Sequence, residues 1–90
     1  MIPADVEKWI WQHEKVKIFI RADPRINIRI ENPDTQMFSS TNTVRQFKNM
    51  RLTPILGELE YIILTADLSE AKDDMKLLDL RKGYRENHIM

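Results

Sequence analysis

The chain has 90 residues, 42% hydrophobic and 31% charged, which bounds it to one small domain with a modest core and excludes the composition of a disordered segment. It has no cysteine, which excludes disulfides, thiolate metal sites and a cysteine nucleophile, and fits a reducing, cytoplasmic setting. Fourteen basic and 14 acidic side chains cancel; with Tyr61 to Leu64 the longest apolar run and acids at Asp5 and Glu7, neither a membrane span nor a secretory signal is expected.

The first element reads as a helix over residues 4–14, with Asp5 as its cap and Val6, Trp9, Ile10 and His13 at helical spacing. Trp11 lies about 200° around the helix from Trp9. One ring is therefore core, and Trp11 is the candidate apolar contact for a partner.

Residues 15–31 alternate, which predicts a β-hairpin. Val16, Ile18, Ile20, Ile26, Ile28 and Ile30 make one face, and Ala22-Asp23-Pro24-Arg25 the turn. The other face would gather Lys15, Lys17, Phe19, Arg21, Arg25 and Arg29. Arg45, Lys48 and Arg51 would extend it if the next helix lies at its edge. Such a face suits a polyanion, with cations on phosphates and a base stacked on Phe19, or an acidic protein. It equally suits the solvated side of an antiparallel sheet.

Glu31 to Thr35 predicts a second turn, and 36–40 a third strand returning on the second. Residues 43–51 read as helix capped by Thr41 or Asn42, although Thr43, Val44 and Phe47 also suit a strand. Thr53-Pro54 and Gly57 break the pattern. Glu58 to Ala66 reads as a strand, apolar on both parities from Leu59 to Leu64 except at Glu60, so a central position is expected. A last helix is expected from Asp67 or Ser69, with Ala71, Met75 and Leu78 on one stripe widened by Leu77, Leu80 and Tyr84. Gly83 follows its end, and 85–90 form a tail.

The expected fold is therefore a single α+β domain spanning 1–90. It has a mostly antiparallel sheet of three to four strands in the order α-β-β-β-α-β-α. Its first five elements share their order with double-stranded-RNA-binding domains and with the small Alu-binding signal-recognition proteins. The basic cluster that opens the second helix of those domains has only Arg45 and Lys48 over 41–48, and no family is assigned.

No catalytic constellation, metal site or cofactor motif is legible. His13 and His88 are the only histidines, and Gly57 and Gly83 the only glycines. Glu58 and Glu60 share a strand parity, Asp73-Asp74 are adjacent, and Ser39-Ser40-Thr41 suit turns and caps better than nucleophilic catalysis.

Charge is segregated. Residues 15–51 carry eight Lys/Arg against three acids, and residues 52–80 carry two against seven. The two regions can compensate each other within the fold or between copies. The expected function is a small non-enzymatic regulator acting by protein–protein contact, an inhibitor or adaptor such as mobile elements carry, and self-associating. Nucleic-acid binding through the basic hairpin face is the alternative.

Overall fold

The computed structural model describes residues 1–30 and 36–86. Helix α1 (Pro3–Glu14) leads into strand β1 (Lys17–Arg21). Next comes a helical segment of three parts: α2 (Val44–Phe47), a π-helical stretch (Lys48–Leu52) and α3 (Thr53–Leu56). Strand β2 (Glu60–Leu64) and helix α4 (Leu77–Glu86) follow. Among the described residues the architecture is α+β, with three helical segments around a two-stranded antiparallel sheet. The expected second turn and most of the expected tail fall on residues outside the described ones.

β1 pairs with β2, not with the residues that follow it. The register runs from Lys17↔Leu64 to Arg21↔Glu60. The predicted turn does form: Asp23 accepts from the Arg25 amide at 2.9 Å, and Ile26 N–H donates to the Asp23 carbonyl at 3.0 Å. The returning half of the predicted hairpin does not pair on β1, because neither edge is open to it. One edge holds β2. On the other, the Ile20 amide donates to the Glu7 carboxylate of α1 at 2.8 Å. Ile28 instead exchanges hydrogen bonds with Met1, at 2.6 and 2.9 Å. Val16, Ile18, Ile20 and Ile28 are buried as their parity predicts, Ile30 is half-buried, and Ile26 faces solvent.

The expected third strand is also absent. Phe38 gives its amide to the Glu14 carboxylate at 2.7 Å and its carbonyl to Arg81 at 2.8 Å, so side chains take both of its ladder groups. β2 consequently has one strand neighbour rather than a central place. Its far edge is met by Ala71 N–H on the Ile63 carbonyl and by the Leu64↔Glu70 bridge.

The two later helices begin against each other. Thr43 caps α2 in a reciprocal pair with Gln46: the Gln46 amide reaches the Thr43 hydroxyl, and the Thr43 amide reaches Gln46 Oε1. The next amides, Val44 and Arg45, donate to the carbonyls of Met75 and Asp73. Those of Leu77 and Leu78 donate to Asn42 and Ser40, around a Thr43↔Lys76 bridge. Helix starts have orphan amides that need acceptors, and each start supplies acceptors to the other. This exchange holds 73–76 in turns and moves the last helix to Leu77, later than the predicted Asp67 or Ser69. Its buried stripe is Leu77, Leu80, Arg81 and Tyr84, while Leu78 is exposed. Gly83 lies inside this helix rather than after it.

Pro54 accounts for the π-helical stretch. It has no amide hydrogen and its ring excludes a normal turn beneath it, so the Thr53 amide reaches five residues back to the Lys48 carbonyl. Gly57, at φ +58° and ψ −120°, then ends α3 in a conformation that favours glycine.

At the centre lies a buried ionic knot. Glu14 is 2% exposed and Arg81 7%. Arg81 donates twice to the Glu14 backbone carbonyl, at 2.8 and 3.1 Å, and to Ser40 Oγ at 2.7 Å as well as to Phe38. The Glu14 carboxylate lies 3.9 Å from Arg81 and 3.7 Å from Arg51. No buried side-chain nitrogen or oxygen among the described residues lacks a partner.

Arg81→Met is expected to cost about 3–5 kcal/mol, since it leaves buried carbonyls unmet and a carboxylate half-compensated. Arg81→Lys recovers only part of this, because an ammonium lacks the planar fork. Urea denaturation measures both. A loss below about 1 kcal/mol for the Met variant contradicts the assignment.

Candidate functional site

The side chains of an antiparallel pair sort by register onto two faces. The inner face of the sheet carries Ile18, Ile20, Tyr61 and Ile63 toward the core. The outer face has three rows: Lys17 beside Leu64, Phe19 beside Ile62, and Arg21 beside Glu60. Phe19 is 50% exposed. Ile62 and Leu64 are half-buried, and Arg21 and Glu60 are exposed. The face is therefore an apolar centre with a cation at one end and a cation beside an anion at the other.

The structure keeps only part of the predicted basic face together. Lys17, Phe19 and Arg21 share the outer face of β1. Lys15 lies on the α1 terminus in a left-handed conformation, with its ammonium 5.9 Å from the Trp11 ring centre. Arg25 is paired with Asp23 in the turn, at 3.4 Å. Arg29 is exposed and lies beyond that turn, not on a strand. Lys48 and Arg45 turn toward Asp73, at 2.7 and 4.0 Å. The Lys48 ammonium holds the Asp73 carboxyl below its ordinary value. The basic and acidic regions thus compensate each other within the fold at these three residues.

Trp11, the predicted apolar contact, is half-buried and packs edge-on against Tyr84 with ring centres 5.4 Å apart. Trp9 stacks on His13 at 4.3 Å, and His13 Nδ1 lies 2.9 Å from the Trp9 carbonyl. Both tryptophans therefore complete the rim of a small core. Glu58, Glu60 and Asp74 are solvent-exposed. Among the described residues, no three His, Cys, Asp or Glu side chains are grouped to hold a metal ion.

Sequence reasoning missed Tyr84 as the group that closes the sheet. Its hydroxyl accepts the Lys17 amide at 3.1 Å and donates to the Leu64 carbonyl. Lys17 and Leu64 are register partners. The phenol therefore stands in the end rung of the ladder and ties α4 to the end of the outer face. Burial pushes its pKa up from 10.0 to about 12.

Among the described residues no helix is long and apolar enough to cross a membrane. The chain matches no protein-family model, no curated protein and no solved structure.

A phenol whose pKa is raised in the folded state stabilises the fold fully below its unfolded value, and that stability is lost as pH rises through the folded value. The protein is accordingly expected to lose stability between about pH 10 and 12. Tyr84→Phe, less stable at neutral pH, is expected to show a shallower loss there; burial also raises Tyr61, which keeps titrating in the variant. Thermal melts across this range measure it, and parallel curves for the two proteins would contradict the bridging role.

Proposed function

We propose that this chain is a small, non-catalytic binding protein that acts by protein–protein contact through the outer face of the β1/β2 sheet. The observation that carries the reading is Phe19: half-exposed at the middle of a sheet face, in register with Ile62, and flanked by Leu64. An apolar patch rimmed by charged groups is the signature of an interaction surface, whereas an isolated exposed apolar residue is not. Met1, Ile2, Ile26, Met37, Met50, Leu68 and Leu78 are also exposed, but all of them lie outside β1 and β2 and none shares the sheet face with Phe19.

Aromatic residues anchor protein interfaces because they bury large area at small entropic cost. The surrounding Lys17, Arg21 and Glu60 form a rim of both signs, which suits a protein surface better than a phosphate backbone. A polyanion would need several cations on one side, and three of the expected ones, Arg25, Arg45 and Lys48, face acids of this chain. The protein would then act by occupying a surface, as an inhibitor or adaptor does.

The test is affinity capture from host extract on immobilised wild type and on Phe19→Asp, with and without nuclease. Capture that survives nuclease and falls at least about tenfold in the variant supports the reading. Capture that is lost with nuclease, or equal on the two proteins, overturns it.

A further inference from the structure

We infer that the occupant of the outer sheet face is a second copy of this chain, packed face to face about a twofold axis that runs parallel to the strands. The inference rests on the reading of this face as a contact surface and adds its partner and geometry.

Strand addition needs a free edge, and both edges are engaged: β1 by Glu7 at the Ile20 amide, and β2 by Ala71 and Ser69 at the Ile63 carbonyl and the Thr65 amide. A strand added at either edge would have to displace these contacts, whereas the outer face needs no such exchange. Two sheets pack face to face about 10 Å apart when their inner side chains interdigitate.

Charge then selects the symmetry. The outer face is two columns, Lys17-Phe19-Arg21 on β1 and Leu64-Ile62-Glu60 on β2, in three rows. A closed dimer needs a self-complementary patch. An in-plane twofold perpendicular to the strands would set each column on its own copy reversed, with Lys17 over the partner's Arg21, which is repulsive. An in-plane twofold parallel to the strands exchanges the columns and keeps the rows. Arg21 then meets the partner's Glu60, Phe19 meets the partner's Ile62, and the Lys17 stem covers the partner's Leu64. By symmetry the ion pair and the aromatic contact each form twice, and no like charges are opposed within the rows. A formal charge of zero adds no long-range repulsion between copies. With three rows the contact is smaller than the roughly 1,600 Å² of a standard interface, so the dimer is weak and forms at high concentration.

Sedimentation equilibrium on the full chain, in a series reaching about 0.5 mM, tests this. Wild type is expected to approach twice 10.7 kDa. Arg21→Glu and Glu60→Arg are each expected to stay at the monomer mass, with association weakened at least about tenfold. An equimolar mixture of the two is expected to regain the dimer, because opposite charges then meet at both contacts. At one, the introduced carboxylate faces the introduced guanidinium; at the other, the native Arg21 faces the native Glu60. Circular dichroism melts of the two singles confirm that each is folded, and the rescue by mixing has no explanation inside one chain. A single variant that dimerises like wild type, or a mixture no better than its components, overturns the twofold arrangement. Wild type monomeric throughout the series overturns the second copy as occupant. In that case loss of capture by Phe19→Asp still decides separately whether the face binds protein. A dimer unaffected by Phe19→Asp overturns both.

Discussion

The guanidinium of Arg81 is the group on which the rest of the molecule depends. It is desolvated, which lowers its pKa against the opposing pull of Glu14. It offers fixed donors to three acceptors that share no secondary structure: the last carbonyl of α1, the carbonyl of Phe38, and the hydroxyl of Ser40. The Glu14 side chain then holds the Phe38 amide. Two charged residues thereby do for the Phe38 segment what a β-ladder would have done, and it pairs with no strand. Arg51 adds a third charge from the π-helical stretch, near Glu14 and over the Phe38 ring at 5.1 Å. A buried ion pair is weak grounds for net stability, but removing one partner is costly. Its role here is to fix where α1, α4 and the connecting backbone meet.

From this knot the position of the sheet follows. α1 ends at Glu14, and Lys15, left-handed at φ 54°, turns the chain directly into β1. α4 carries Arg81 into the knot and, one turn later, Tyr84 into the end of the ladder. One helix therefore fixes both the connecting segment and the sheet. With α1 packed against β1 and other segments in contact with both strand edges, Phe19 is left half-exposed on the outer face.

Much of the local structure was legible in the sequence. The apolar spacing of Val6 and Ile10 marked α1 within one residue of its start. The parity of Val16, Ile18 and Ile20 marked the buried side of β1, Gly57 a break, and the apolar run to Leu64 the strand β2. The pairing was not legible. Alternation states which side of a strand is apolar but not which strand lies beside it, and a well-formed Asp23-Pro24 turn made the nearer partner look sufficient. What decided the matter was the edge amide of Ile20, taken by Glu7 thirteen residues upstream. The late start of α4 was hidden for a similar reason: Asp67 does cap, but it caps a tight turn by accepting the Ser69 amide. That turn holds Leu68 at φ 68° instead of opening a helix. Nor did composition reveal Glu14 and Arg81, since a buried pair 67 positions apart has no periodic signature. The basic face was read from a hairpin that does not form, so Lys17, Phe19 and Arg21 remain together while Arg25, Arg45 and Lys48 find acids.

The central claim is that the knot closes the molecule and leaves the Phe19 face for contact. Amide nitrogen–proton spectra recorded over a dilution series test it most directly. The account predicts concentration-dependent shifts confined to 17–21 and 60–64, with the Phe38 amide unmoved. Shifts that instead centre on α4 or the Phe38 segment, with Phe19 and Ile62 unchanged, would contradict it.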